Sequence, residues 1–341
     1  MNGVKDYVLK KMGVTLLASA ILLTAAACGN AGTGGAKKTY SIAISQYVEH
    51  PSLDATRQGF LAALKDAGIT EGDNLKVDYN NAQADSPNNL SIAQKIAAKK
   101  NELVLAIATP SAIAVAQQVK NSPILFSAVT DPLDAKLITN MDKPGGNITG
   151  ASDTNPAAIT QLMDFIHANF PKVKNLGLVI NTGEPNAIVM ANTAEKALEK
   201  HGMKLVRAPV TNTSEVKQAA QSLVGRVDAL YITLDNNVVS GVGSIIQIAN
   251  ENKLPFFSSD RDTVEKGAFA TVGFKYYDHG YQVGQMAVDI LKNGKKPGDL
   301  KVTVPDKLDL ILNMKAAASQ GITVTDAMKN QVKDKQNNII Q

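Results

Sequence analysis

The sequence predicts an α/β fold made of two lobes, each built on an open parallel sheet. Three observations carry this expectation. Short apolar runs of strand length alternate with longer helical stretches through most of the chain. The alternation is broken at Pro144-Gly145-Gly146-Asn147 and then begins afresh with a second series of similar size. At 341 residues there is room for about two domains of the usual roughly 100–200 residues each.

The clearest unit is residues 104–132, VLAIATPSAIAVAQQVKNSPILFSAVTDP. An apolar run over 104–108 stops at Thr109-Pro110, a helical stretch reaches Lys120, and a second apolar run over 123–126 stops at Ser127. Each run is long enough for a buried strand and too short for a helix. A right-handed crossover then lays the two strands parallel, with both polar loops at one sheet edge. Thr109 stands where an N-cap hydroxyl belongs, with Pro110 at the first helical position, and Asp131-Pro132 repeats the arrangement one strand later. Helix starts with free N–H groups favour an anion such as a carboxylate. This edge therefore reads as half of a ligand cup.

In chain order, 40–45 is a strand and 52–68 a helix with Leu53, Phe60, Leu61, Leu64 and Ala67 on one face. A second strand at 75–79 is closed by NNAQADSPNN, and a helix at 90–100 leads into the 104–132 unit. A short helix over 133–141 and a strand over 148–152 lead out of the first lobe. The second series has helices at 156–170, 185–201, 214–223 and 238–251, with strands at 175–180, 204–210, 229–234, 255–258 and 268–274. A helix over 277–293 presents Val283, Met286, Ala287, Ile290 and Leu291 on one face; strands at 301–304 and 308–312 follow, and the chain fades into a polar tail, DKQNNIIQ. The pattern does not say which lobe these late elements join. No repeat of about 20–50 residues is visible, which argues against a solenoid.

Residues 1–27 differ in kind. Lys5, Lys10 and Lys11 precede an apolar run over 14–27 interrupted only by Thr15, Ser19 and Thr24. The run is shorter than the ~18–20 residues that span a bilayer and ends in small residues, so it reads as a signal peptide. Cys28 is the only cysteine and follows LTAAA. This resembles the bacterial lipobox, in which that cysteine is lipidated and begins the mature chain, although Ala25 stands where leucine is usual; an ordinary secretory signal is the alternative. Residues 29–37, GNAGTGGAK, suit a flexible tether. Loss of residues 1–27 removes three lysines and Asp6 and lowers the formal charge from +4 to +2. With no basic block, nucleic-acid binding has no electrostatic support.

Prolines open helix after helix just beyond a strand, at His50-Pro51, Thr109-Pro110, Asp131-Pro132, Asn155-Pro156 and Glu184-Pro185. Each is a good helix start in its own right. Together they place polar residues at the carboxyl ends of parallel strands, where open α/β sheets bind ligands. Ser45 and Gln46, Asn81 and Gln83, Ser127 and Thr130, Ser152 and Asp153, Asn181, Asp235 and Asn236, and residues 258–260 share that edge. Neutral hydrogen-bonding groups with a few carboxylates suit a small zwitterion better than a phosphate. Thr109, Ser111 and Ser127 would take its carboxylate. Its ammonium would need an acceptor such as Asp235 or Glu184, each of which could equally be a helix cap. GxSxG, GxxxxGK[ST] and HExxH are absent, and Gly241-Val242-Gly243 lacks a third glycine. His50, His167, His201 and His279 lack ligand spacing, so neither a metal nor a cofactor is expected.

Eight segments in order resemble the ABC-transporter substrate-binding lipoproteins of the type I periplasmic-binding fold, in the TrpX-like group: SQYVEHPSLDATRQGF, NNAQAD, AIATPSA, PILFSAVTDP, PGGNITGASD, NTGEPNA, VDALYITLDNN and GFKYYDHGYQVGQMA. The likeness runs from about Tyr40 to beyond Gly321. It implies two Rossmann-like lobes joined by three hinge crossovers, residues 39–153 plus 276–301 and residues 154–275 plus 302–330, with a signal at 1–27, a lipidated tether at 28–38 and a tail at 331–341. It further implies an aromatic amino acid (Trp, Phe or Tyr) enclosed between the lobes. First-lobe contacts would be Ser45, Gln46, Asn81, Gln83, Thr109, Ser127 and Thr130; those of the second lobe would be Asp153, Asn181, Glu184, Asn186, Asp235 and Asn236. Tyr47, Phe126 and Phe256 could line the pocket but fit a core or hinge equally well. The implied protein is a monomer, not an enzyme, held by a lipid anchor at the outer face of the cytoplasmic membrane and served by an ABC permease with its ATPase. The alternatives are an exported hydrolase on the same scaffold and a binding protein for another small molecule.

Overall fold

The first sheet has the order β2-β1-β3-β4-β5, formed by β1 (Tyr40–Gln46), β2 (Leu75–Asn81), β3 (Leu103–Ile107), β4 (Ile124–Val129) and β5 (Ile148–Ser152), all parallel. These strands belong to a computed structural model that describes residues 38–341; Cys28 and the signal and tether expectations lie outside the described residues. Three crossover helices join the first four strands: α1 (Pro51–Asp66), α2 (Ser86–Ala97) and α3 (Thr109–Gln118). Because helices cover both faces, β3 and β4 are buried at every residue, which explains their unbroken apolar runs. Phe126 belongs to this core rather than to a pocket wall.

The second lobe continues with α4 (Pro156–Asn169), β6 (Asn175–Asn181), α5 (Pro185–Glu199), β7 (Lys204–Val210), α6 (Val216–Leu223) and β8 (Ala229–Ile232). After these come α7 (Asn236–Ser240), α8 (Val242–Asn252), β9 (Phe256–Ser258), α9 (Arg261–Lys266) and β10 (Ala270–Gly273). The chain then returns to the first lobe as α10 (Tyr276–Leu291), which lies along α1. Their backbones nearly touch: a Cβ on Gly280 would stand 1.9 Å from the Thr56 carbonyl oxygen, and one on Gly59 would stand 2.0 Å from that of Tyr277. Only glycine permits this approach.

The last part of the chain is β11 (Asp309–Asn313), α11 (Met314–Ser319), α12 (Asp326–Asn330), α13 (Lys335–Asn338) and β12 (Ile339–Ile340). The second sheet therefore has the order β12-β11-β10-β9-β8-β6-β7. The chain passes between the two sheets three times, at 153–155, 274–275 and 304–308. Leu234 and Phe274 pack against core clusters of both lobes. Phe256 is core.

Several elements depart from the sequence expectation. The stretch 133–141 is a series of turns, because Asp131 Oδ1 accepts the N–H groups of Leu133 and Asp134 while Lys136 at φ 56° turns the chain off a helical path. Residues 301–304 make a single bridge, Thr303 to Ala151, and Pro305 cannot extend it. The helix expected at 238–251 is divided at Gly241. The second sheet is not wholly parallel: β11 re-enters at the edge that β10 leaves, Gly273 opposite Asp309, and so runs antiparallel to it. The expected polar tail contains α13 and β12, whose Ile339 pairs with Leu312. Arg261 holds it by donating to Asn338 Oδ1 and the Asn337 carbonyl.

Candidate functional site

The carboxyl ends of β1, β3 and β4 form the first-lobe wall. At the end of β1 the Gln46 side-chain amide donates to the Val48 carbonyl at 2.9 Å and to Asp54 Oδ1 at 2.8 Å. Those two donations orient the amide, so Oε1 is fixed as an acceptor; it is buried with no partner among the described residues. Ser127 Oγ on β4 is likewise buried and unpartnered there. Ser45 lies against Ser111, whose hydroxyl donates to Asn89.

Thr109 does not cap α3. The N-cap is Ala108, held at φ 78° and ψ 151°, and the helix starts at Thr109 itself. The Thr109 hydroxyl oxygen instead accepts the Thr130 N–H at 3.3 Å, which ties the end of β3 to the end of β4 and leaves its own hydrogen free to donate. One strand over, Ala128 also has a positive φ, 55°, and its N–H donates to His279 Nε2 at 3.1 Å. Burial lowers the His279 imidazole to about 4, so it is a neutral acceptor there. Two alanines in sparsely populated backbone conformations on adjacent strand ends mark a surface shaped by more than helix propensity. Asn81 Oδ1 accepts the Gln83 N–H; Asn81 is half-buried and Gln83 exposed.

In the second lobe, one carboxylate caps one short helix and the other braces it. Asp235 Oδ1 accepts the Val238 N–H at the start of α7, and its other oxygen accepts the Asn181 N–H at the end of β6. Burial, then the nearby Glu184, raises the Asp235 carboxyl well above its ordinary value. Glu184, at the start of α5, accepts from the backbone and side-chain amides of both Asn236 and Asn237. Asn186 donates to Glu184 at 3.1 Å and to the Leu234 carbonyl at 2.8 Å, which fixes its Oδ1 as a second oriented, buried, unpartnered acceptor.

The two walls meet. Ser52 Oγ donates to Asp260 Oδ1 at 3.3 Å. The His50 ring, lowered to about 4 by burial, faces Asn236, and the Tyr47 phenol faces Glu184 and Asn237. Between the lobes is a cavity of about 10 Å³ lined by His50, Ala128, Thr130, Asp153, Asn186 and Asn236, among others. Asp153 sits on the first crossover, where its Oδ2 accepts the Tyr276 hydroxyl at 3.0 Å. Burial raises this carboxyl to about 6, against the lowering effect of the Tyr276 and Thr154 hydrogen bonds. Sequence reading missed Ser52, Asn237, Tyr276 and His279. Tyr276 and His279 lie in the segment GFKYYDHGYQVGQMA, but Tyr276 stands just outside the expected helix 277–293 and no local signal marks a crossover.

Two α/β lobes joined by three crossings, with polar strand ends facing each other across a narrow cleft, define a two-lobed binding protein of the type I periplasmic-binding class. The chain belongs to the ABC transporter substrate binding protein family, whose model matches residues 41–335. It is 41% identical over 277 residues to a tyrosine-binding protein of Clostridioides difficile (strain R20291), covering 81% of this chain and 79% of that one. An ABC domain from Streptococcus pneumonia, solved in complex with L-Trp, is 31% identical with a TM-score of 0.82, over 87% of this chain and 99% of that one. The ligand-free, open structure of a substrate binding protein with adhesive properties from Clostridium difficile is 39% identical with a TM-score of 0.64, over 89% and 98%. The chain thus superposes better on the L-Trp complex than on the open form despite its lower identity to the former, in keeping with the contacts between the lobes.

Proposed function

We propose that this substrate-binding protein takes an aromatic amino acid between its lobes and presents it to an ABC permease driven by a separate ATPase. The observation that carries the reading is the pair of oriented, buried acceptors, Gln46 Oε1 from one lobe and Asn186 Oδ1 from the other. Asn186 and Asp153 line the same cavity between the lobes and form an acceptor set for an ammonium, Gln46 Oε1 is a separate acceptor at the end of β1, and the hydroxyls of Ser127 and Thr109 supply donors for a carboxylate. Ser45, Thr130, Asn181 and Asn236 complete the walls, Asn81 and Gln83 stand at the first-lobe margin, and Glu184 and Asp235 act by fixing the start of α7. The aromatic class is supported by the tyrosine-binding relative and by the L-Trp complex.

Residues 1–27 act as an export signal, and Cys28 carries the lipid that holds a monomeric receptor at the outer face of the membrane. No helix among the described residues is long and apolar enough to cross a membrane. Calorimetry against the twenty amino acids is the test: saturable binding of Trp, Phe or Tyr is expected, with the ligand recovered unchanged, and no heat from any of the three overturns the reading.

A further inference from the structure

Beneath Asp153 the second lobe holds a small apolar cavity of about 20 Å³, lined among others by Ile159, Leu162, Met190, Leu234, Val272 and Phe274. A larger space of about 210 Å³ lies outside it, between the first-lobe residues 130–133 and helices α4 and α5. Its rim includes Leu133 and Val304, each 45% exposed. Asp153 lines both the inner cavity and the cavity between the lobes. Thr154, Ile159 and Met190 line both the inner cavity and the outer space, and so form the wall that divides them.

The two apolar members of that wall differ in kind. Isoleucine is stiff about its first side-chain bond, whereas methionine is unbranched with three rotatable bonds and adapts to irregular space. Met190 is packed in the second-lobe core, and its sulfur accepts the Leu234 N–H at 3.4 Å. As it stands, the inner cavity takes about one water. An aromatic ring enters only if the wall gives way.

We propose that the side chain of the bound amino acid runs from Asp153 into this apolar space, and that Met190 swings aside to merge the inner cavity with the outer one. Met190 is thereby the specificity-determining residue for ring size. The inference rests on the amino-acid reading above, with the ammonium held near Asp153 and the ring directed toward helices α4 and α5.

The test is calorimetry of Met190→Ala, Met190→Leu and Ala158→Leu with L-Trp and L-Phe. Met190→Ala opens the wall permanently and is expected to raise the Trp-to-Phe affinity ratio about tenfold, whereas Met190→Leu keeps a similar volume but loses the unbranched chain that swings aside, and is expected to lower the ratio several-fold. Ala158→Leu fills the inner cavity from a half-buried position and lowers the same ratio about tenfold, which keeps the test intact if Met190→Ala fails to fold. Unchanged ratios in folded variants that still bind overturn the inference and leave the amino-acid reading standing. Binding of none of Trp, Phe and Tyr by the unaltered protein overturns both, and binding of Tyr alone overturns the ring-size inference only.

Discussion

The Tyr276 hydroxyl donates to Asp153 Oδ2 at 3.0 Å and so ties the second crossing between the lobes to the first. This bond lies at the floor of the cleft and sets the charge of the one carboxylate that lines it from a crossover. Burial holds the Asp153 carboxyl up at about 6 and the phenol acts against that shift.

Ligand affinity should therefore depend on pH. Below about pH 6 Asp153 is protonated and cannot pair with an ammonium, so affinity falls roughly tenfold per pH unit there and levels off above it. Tyr276→Phe removes a donor to the charged form and moves that midpoint upward. In the free protein the sign is reversed: a raised folded-state pKa favours the folded state below the ordinary carboxylate value, and that contribution is lost as pH rises through about 6. Calorimetric titrations from pH 5 to 8 check the first effect and thermal melts over the same range check the second.

Ser127→Ala should separate binding from stability. Its hydroxyl has no partner among the described residues, so its removal leaves the melting temperature nearly unchanged. Loss of a donor to the ligand carboxylate should weaken binding by about 1–1.5 kcal/mol, or roughly tenfold. A fall in stability with unaltered affinity would assign Ser127 to the core.

Asp235→Ala should do the opposite. The carboxylate caps α7 and accepts the Asn181 N–H, so both donors lose their acceptor in a fully buried place. A loss of about 1–3 kcal/mol in unfolding free energy is expected in denaturant titrations. Affinity falls as a consequence of the displaced α7, and stabilising osmolytes should partly restore it.

These two residues also illustrate how far the sequence could be read. Apolar runs of strand length ending in polar residues marked the sheet edge correctly for Ser45, Gln46, Thr109, Ser127, Asp153 and Asp235, because parallel strands buried on both faces leave a plain signal. Chain direction did not show: nothing local to residues 309–313 tells that they return along β10 from the cleft side. Nor did Thr109 reveal its true role, since the turn that moves the helix start is made by Ala108, whose side chain carries no cue to a positive φ. The Asp235 sequence was equally compatible with a cap and with an ammonium acceptor, and only the positions of Asn181 and Val238 favour the cap. The C-terminal strand was hidden by polar neighbours that prove to be structural, with Asn337 and Asn338 accepting from Arg261.

Cys28→Ala should release the mature protein from the membrane fraction without altering its affinity, because no residue of the proposed site precedes Ser45. Cell fractionation followed by calorimetry of the released protein checks both halves of this expectation.

The most direct test of the account is a calorimetric comparison of the aromatic L-amino acid that binds most tightly with its decarboxylated amine and its N-acetyl derivative. The account predicts that each altered compound loses at least about 100-fold in affinity, because each leaves a set of buried groups on the opposing walls without its partner. Binding of either within about threefold of the parent amino acid would contradict it.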